Sequence, residues 1–346
     1  MGKGKDRMMS KLVSLEVWRD LYSAASRFKE VACWDWLLDS DLFAVQNPAT
    51  GEMGYCCVMG ALGEHFALGV YLGPKGLESY MKMREADPAD PLEIMMGQKC
   101  LMASFEERGA LQKLDLEVIR SLGHKFRGRN SWPLFRSYLP RYAPWHLTED
   151  EARYLTLALE ESIEVAGRVK EEPALLISRG QTRLLARVPE RSGGASQWRD
   201  DWIVPMIPAG PPPVPPLDET GLKRLKNSLP QKSMTWEIDL FYLPTVIMEG
   251  DRPFYPSTLL CVDRDSGFIF GTEVMGPEER ELAPARIQRH FASAGALPNQ
   301  VAVSRDEVFQ WMGPMASALG IKVRRAKRLR SLERARSALV GHLTGA

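Results

Sequence analysis

The spacing of apolar positions predicts a helix first and then a set of strands. Within 11–38, Leu15, Trp18 and Leu21 recur three positions apart, which is typical of one buried face of a helix. After this segment the apolar residues form three short runs divided by turn-forming residues. These runs predict an antiparallel meander of three strands, at 42–45, 53–59 and 66–72.

Helical and strand patterns are mixed over the following stretch. We expect helices at 75–86, 91–103, 113–122 and 148–169, and strands at 174–178, 183–188 and 198–205. The longest of these helices begins with a capping box, in which Thr148 and Glu151 each accept a hydrogen bond from the other's backbone N–H. The sequence thus predicts an α+β domain at 1–205.

A proline-rich segment then interrupts the pattern. Six of the ten residues of 207–216 are proline, which favours an extended chain without backbone donors. We interpret 206–230 as an interdomain linker. The alternative is a docking peptide for an aromatic groove on a partner.

The remainder, 231–346, has a regular order of elements. Three strands joined by hairpins are followed by helix, strand, helix, strand and helix, which predicts a mixed sheet flanked by helices. The strands are expected at 235–243, 259–263, 268–275, 300–304 and 321–325, and the helices at 284–294, 307–319 and 332–343. The whole chain is therefore expected to be α+β, with two domains.

Composition narrows the class of protein but not its function. Of 346 residues, 45% are hydrophobic and 26% are charged, which excludes a disordered chain, a collagen-like fibre and a coiled-coil rod. The net charge of +1 identifies no partner. No run approaches 18 apolar residues, and the five cysteines are irregularly spaced, so we expect no membrane association and buried thiols in a reducing cytoplasm.

Short sequence words in the second half carry a resemblance to a known fold. They are Trp236-Glu237-Ile238-Asp239, the run 259–271 with Asp263 before Ser266-Gly267, and the run 297–306 ending in Asp306. In this order they resemble the ribonuclease H-like cores of integrases and transposases. The whole chain also resembles an uncharacterised family of bacterial two-domain proteins, through Trp34-Asp35-Trp36 and 51–55.

The integrase resemblance implies a site for phosphoryl transfer. Those cores hold two divalent metals, magnesium or manganese, between three carboxylates. Asp239 and Asp306 match the first two carboxylates and would be the metal ligands, and Glu333 is the remaining candidate for the third. The alternative is that Asp239 and Asp306 are polar residues at strand ends, one of which caps a helix, and that arginines pair with Glu333. No other cofactor is expected.

Two basic stretches are candidates for contact with nucleic acid or an acidic protein. The first interleaves cations with aromatic rings and contains Lys125, Arg127, Arg129 and Arg136. The second lies near the end and contains Arg324, Arg325, Lys327 and Arg328. The alternative in both cases is a basic surface exposed to solvent, with the rings of the first stretch packed at the edge of the core.

Two functions of different classes remain open at this point. One is a non-catalytic binding or scaffold protein with a degenerate integrase-like core that contacts nucleic acid. The other is a metal-dependent nuclease that uses Asp239, Asp306 and Glu333. The sequence indicates neither a substrate nor an oligomeric state.

Overall fold

The computed structural model divides into two compact units. Unit 1 comprises Met1–Pro140 and Pro144–Ala209, and unit 2 comprises Arg141–Ala143 and Gly210–Ala346. The structure describes residues 13–85, 91–177, 183–190, 197–207 and 216–344. The fold is α+β, and each unit contains one mixed β-sheet.

The sheet of unit 1 has seven strands in the order β5-β4-β3-β2-β1-β6-β7. The strands are β1 Phe43–Gln46, β2 Met53–Met59, β3 Ala67–Leu72, β4 Cys100–Glu106, β5 Trp132–Tyr138, β6 Leu184–Glu190 and β7 Gln197–Ile203. Neighbouring strands are antiparallel except β1 and β6, which pair in parallel. The antiparallel meander β1-β2-β3 agrees with the sequence prediction.

Helices cover both faces of this sheet. They are α1 Leu15–Val31, α2 Gly73–Glu85, α3 Pro91–Gly97, α4 Lys113–Ser121 and α5 Glu149–Glu171. The buried side chains of α1 and α5 form the main core with one face of the sheet, and α2 covers the opposite face. The predicted capping box of α5 is present, with the Thr148 hydroxyl accepting from Glu151 N–H and the Glu151 carboxylate accepting from Thr148 N–H.

Two predicted elements of unit 1 are wrong. The helix expected at 91–103 ends at Gly97, and Cys100–Glu106 is instead the strand β4. Burial on both faces of β4 removes the alternation of polar and apolar residues that identifies a strand. The strand expected at 174–178 is absent from 174–177, which form turns, and residue 178 lies outside the described part of the chain.

The sheet of unit 2 has five strands in the order β10-β9-β8-β11-β12. They are β8 Gln231–Tyr242, β9 Ser257–Asp263, β10 Ile269–Met275, β11 Leu297–Val303 and β12 Lys322–Arg325. The first three strands are antiparallel neighbours, whereas β11 is parallel to both β8 and β12. The mixed sheet predicted from the order of elements is therefore confirmed.

Four helices flank this sheet within the described residues. They are α6 Glu219–Ser228, α7 Ala283–Ser293, α8 Asp306–Leu319 and α9 Arg330–Thr344. Helices α6, α7 and α8 share one core with Trp236, Ile238 and Leu240 of β8. Because side chains alternate across a strand, the intervening residues of β8 face the opposite side, which α9 covers.

Helix α6 lies inside the segment that the sequence assigns to a linker, 206–230. Asp218 caps the helix, and Leu222 is buried in the core of unit 2. The density of prolines before the helix concealed the amphipathic spacing of Leu222, Leu225 and Leu229. Residues 208–215, which hold most of the prolines, lie outside the described part of the chain.

Two further properties of the described residues bear on the sequence analysis. All five cysteines are buried and none is in a disulfide. No helix in the described ranges has the length and apolar character needed to span a bilayer.

Candidate functional site

Strand β8 places two buried carboxylates on the side of the sheet that α9 covers. Glu237 and Asp239 are 3% and 7% exposed, and they alternate with Trp236 and Ile238, which enter the opposite core. The strand therefore places the two carboxylates on the same face as the apolar Phe241, and Trp236 and Ile238 on the other face. Each carboxylate has a distinct set of partners.

Asp239 contacts the residues that immediately follow β11. The Ser304 hydroxyl donates a hydrogen bond of 2.5 Å to Asp239 Oδ2, and Arg305 Nε lies 3.6 Å from Asp239 Oδ1. Burial raises the pKa of Asp239, while the Arg305 charge and the Ser304 hydroxyl lower it by a smaller amount. A two-metal site would need a second carboxylate close to Asp239. The guanidinium group of Arg305 lies there instead.

Asp306 is the first residue of α8 and points to a different partner. Its carboxylate forms an ion pair with Arg325 Nη1 of β12 at a distance of 2.5 Å, and its side chain is 71% exposed. The Arg325 guanidinium also lies 4.6 Å from the centre of the Phe309 ring. Asp306 is thus part of a surface ion pair between α8 and β12.

The third predicted carboxylate, Glu333, is exposed on α9. The carboxylate that contacts this helix from inside the fold is Glu237, whose Oε2 accepts from Ser331 N–H at 3.0 Å and Leu332 N–H at 2.9 Å. These N–H groups belong to the first turn of α9 and have no partner within the helix. Glu237 therefore anchors the N-terminus of α9 to the sheet.

The residues present do not fit a two-metal site. Across the described ranges, no three His, Cys, Asp or Glu side chains are arranged to hold a metal ion. Asp239 is beside Arg305, Asp306 pairs with Arg325, and Glu333 is exposed. Carboxylates that already compensate arginines are poor ligands for magnesium or manganese, which need several oxygen donors directed at one point.

Asp239→Asn is expected to make stability less dependent on pH. Because the pKa of Asp239 is raised on folding, its contribution to stability is fully present below the unfolded pKa, about 3.9, and is lost as pH rises through the folded pKa. Urea denaturation between about pH 4 and pH 7 should therefore show the wild type losing stability relative to the variant. Asp306→Asn, at an exposed carboxylate, is the control, and the same pH trend in both variants would contradict this role of burial.

One residue predicted to bind nucleic acid is instead buried. Arg136 of β5 donates to both carboxylate oxygens of Asp115 at 2.9 and 2.6 Å, and also to the carbonyl of Phe135. Its side chain is 8% exposed. Arg136 is therefore a structural residue that ties α4 to β5, and its assignment to a nucleic-acid surface is corrected.

The other cations of the first basic stretch are at the surface. Lys125 and Arg127 are exposed on the loop between α4 and β5. Arg129 is also exposed, with its Nε 3.3 Å from a carboxylate oxygen of Glu107. The aromatic residues Phe126 and Trp132 pack against the core of unit 1, as the alternative interpretation of this stretch expected.

The second basic stretch contains a set of exposed cations that we call the basic edge. Its exposed cations lie on β12, an outer strand of the sheet, and on the turn into α9. Arg325 pairs with Asp306, and the other cations have no ion pair with a carboxylate in the described part of the chain. The basic edge consists of Lys322, Arg324, Lys327, Arg328 and Arg330.

Sequence reasoning missed the two residues that determine the character of the site. Glu237 lies two positions before Asp239, so the alternation of a strand already places the two carboxylates on one face. Arg305 directly precedes Asp306, and a cation at this position was a signal against a metal site. Both residues lie within the sequence segments on which the resemblance to integrase cores is based.

Comparisons with known proteins assign a different family model to each unit. Residues 18–187 match the model described as Domain of unknown function (DUF7309), and residues 221–340 match Domain of unknown function (DUF6930). No curated protein matches the chain. The solved catalytic core domain of BIV integrase is similar at 16% identity and a TM-score of 0.26, over 33% of this chain and 71% of that one. The chain is therefore similar to two domains of unknown function.

Proposed function

We propose that this chain is a non-catalytic binding protein that contacts nucleic acid through the basic edge of unit 2. The observation that carries the proposal is the set of exposed cations on β12 and at the start of α9. Five cations within nine residues have no carboxylate partner among the described residues. Such a surface attracts a polyanion and releases its counterions on binding.

The proposal includes a ribonuclease H-like fold for unit 2. Three antiparallel strands followed by two parallel strands on the other side of β8 form the order β10-β9-β8-β11-β12. This arrangement supports the resemblance on which the sequence analysis depended. A fold of this kind can persist after its catalytic residues have changed, because the fold and the site are maintained by different residues.

The ion pairs at the carboxylates support a role without catalysis. Arg305 supplies positive charge beside Asp239, and Arg325 supplies it beside Asp306. In a two-metal site, divalent ions compensate the carboxylates and activate a water molecule. Arginine compensates the charge but cannot lower the pKa of a bound water molecule in this way, so the pairs supply no nucleophile.

The test is a triple substitution at the basic edge, Arg324→Ala, Lys327→Ala and Arg328→Ala. We expect the affinity for a fluorescein-labelled DNA duplex to fall about tenfold or more at low salt, because three phosphate contacts are lost. The slope of log affinity against log salt concentration should become shallower by up to about 3. Fluorescence anisotropy measures both quantities.

The matched control removes three exposed cations from the outer face of α6, with Lys223→Ala, Arg224→Ala and Lys226→Ala. This variant changes the net charge by the same amount and should bind DNA with little change. Equal losses in the two triple variants would contradict a role for the basic edge. If poly-glutamate binds as tightly as DNA, the surface takes an acidic polypeptide and the nucleic-acid proposal is wrong.

A further inference from the structure

A groove in unit 1 combines exposed cations with aromatic rings. It lies between α4, the loop that follows α4, and the start of β5, and it is open to solvent with a volume of about 430 Å³. This volume is in the range of small-ligand sites. The residues that give the groove its chemistry are Arg108, Arg120, Lys125, Arg127, Phe126 and Trp132.

The aromatic residues of the groove are fixed from behind by the core. Phe126 stacks on Tyr22 at a centroid distance of 6.1 Å and meets the edge of Trp132 at 5.9 Å. Phe126 and Trp132 are both only partly buried, so part of each side chain remains accessible. The groove therefore offers rigid apolar surface, on which a planar ligand can stack without ordering a mobile side chain.

The charge of the groove is positive and uncompensated. Arg108, Arg120, Lys125 and Arg127 are exposed, and none has an ion pair with a carboxylate in the described ranges. No acidic side chain lines the groove within the same part of the chain. The Arg108 guanidinium lies 5.9 Å from the centre of the Trp132 ring, so cationic and aromatic groups are already in contact.

The loop that carries Lys125 and Arg127 has a defined conformation. Gly123 and Gly128 bound it with φ angles of +74° and +93°, a region that residues with a Cβ rarely adopt. Beyond Gly128, Lys29 of α1 donates to the carbonyl of Asn130 at 2.7 Å and to Ser131 Oγ at 2.9 Å. The groove is thus held open by backbone geometry and by contacts with α1.

We infer that this groove binds a segment of single-stranded nucleic acid, with an unpaired base against Phe126 and Trp132 and the flanking phosphates on the four cations. Stacking requires a free base face, which a duplex does not offer, and the cations require an anion next to that base. An acidic peptide would satisfy the cations and leave the rings unused. The site lies in unit 1 and needs none of the residues of the basic edge, so it goes beyond the proposed function.

The test uses the full chain with the triple substitution at the basic edge, so that binding in unit 1 is measured separately. Anisotropy with labelled hexathymidylate should detect binding, and an abasic hexamer with the same phosphates should bind about tenfold more weakly or worse. Adding Arg120→Ala and Arg127→Ala should lower the affinity for hexathymidylate by about tenfold. Trp132→Leu should reduce the difference between the hexathymidylate and the abasic hexamer, because only Phe126 then remains to stack on a base.

The matched control is Arg19→Ala with Lys75→Ala, which removes two exposed cations of unit 1 outside the groove and should leave affinity unchanged. Equal binding of hexathymidylate and the abasic hexamer would overturn the stacking role. Loss of hexathymidylate binding in the control would overturn the location. If hexathymidylate does not bind while duplex DNA still binds the wild-type basic edge, the groove inference fails and the proposed function stands.

Discussion

Arg136→Met is expected to lower the free energy of unfolding by about 3–5 kcal/mol, because it removes the arginine that pairs with the largely buried carboxylate of Asp115. Arg136 and Asp115 form a two-pronged ion pair with side chains that are 8% and 11% exposed. Asp115 also accepts from Gln112 N–H at 2.8 Å and so completes the cap of α4. Without Arg136 the Asp115 carboxylate keeps Gln112 N–H and His146, whose Nδ1 lies 3.6 Å away, as polar neighbours, and α4 loses its link to β5.

Urea denaturation followed by tryptophan fluorescence measures this loss. The double variant Arg136→Met with Asp115→Leu should recover part of the stability, because it removes both charges instead of one. Arg129→Met is the matched control, since Arg129 forms an exposed pair with Glu107 and should cost less than about 1 kcal/mol. Equal costs for Arg136→Met and Arg129→Met would contradict the buried role assigned to Arg136.

Arg136 is buried and Arg127 is exposed, and this difference shows what the local composition of the sequence cannot predict. Both belong to one basic, aromatic stretch, and both were assigned to the same surface from sequence. The partner of Arg136 is Asp115, which lies 21 positions away on another element. A contact across that separation depends on how α4 packs on the sheet, and the local pattern of charges carries no information about it.

The elements of unit 2 were largely predictable because turn residues separate its strands and helices. The hairpin between β9 and β10 follows Asp263, whose carboxylate accepts from Ser266 N–H and Ser266 Oγ, and Gly267 then takes a φ of +72°. These turn residues are visible in the sequence. In unit 1, β4 is buried on both faces and shows no alternation of polar and apolar residues, and the helix predicted there was wrong.

The residues of the candidate site could be identified from the sequence, but the contacts between them could not. The word ending in Asp239 and the run ending in Asp306 identified one carboxylate within β8 and one at the start of the helix that follows the neighbouring strand β11. Their partners, Arg305 and Arg325, compete with metal for the carboxylates, and this competition depends on side-chain directions. The order of elements therefore predicted the mixed sheet of unit 2, whereas the contacts of its carboxylates could not be predicted.

Glu237→Ala is the second substitution with a large expected effect, and it should lower the free energy of unfolding by about 3 kcal/mol. One buried oxygen of Glu237 accepts two N–H groups of α9, and its negative charge also lies at the positive end of the helix dipole. Alanine leaves both N–H groups buried without an acceptor. Glutamine retains an acceptor oxygen and removes the charge, so Glu237→Gln should cost about 1 kcal/mol.

Hydrogen exchange distinguishes anchoring of α9 from a general loss of stability. In Glu237→Ala the amides of Ser331 and Leu332 should lose more protection than those of the central strand β8, because the helix N-terminus opens before the sheet does. Glu333 follows Leu332 on the same helix but is exposed, so Glu333→Ala should change the free energy of unfolding by less than about 0.5 kcal/mol. Equal losses in Glu237→Ala and Glu333→Ala would show that α9 is held by its apolar contacts with β8 and β9 alone, and the buried carboxylate would then have no anchoring role.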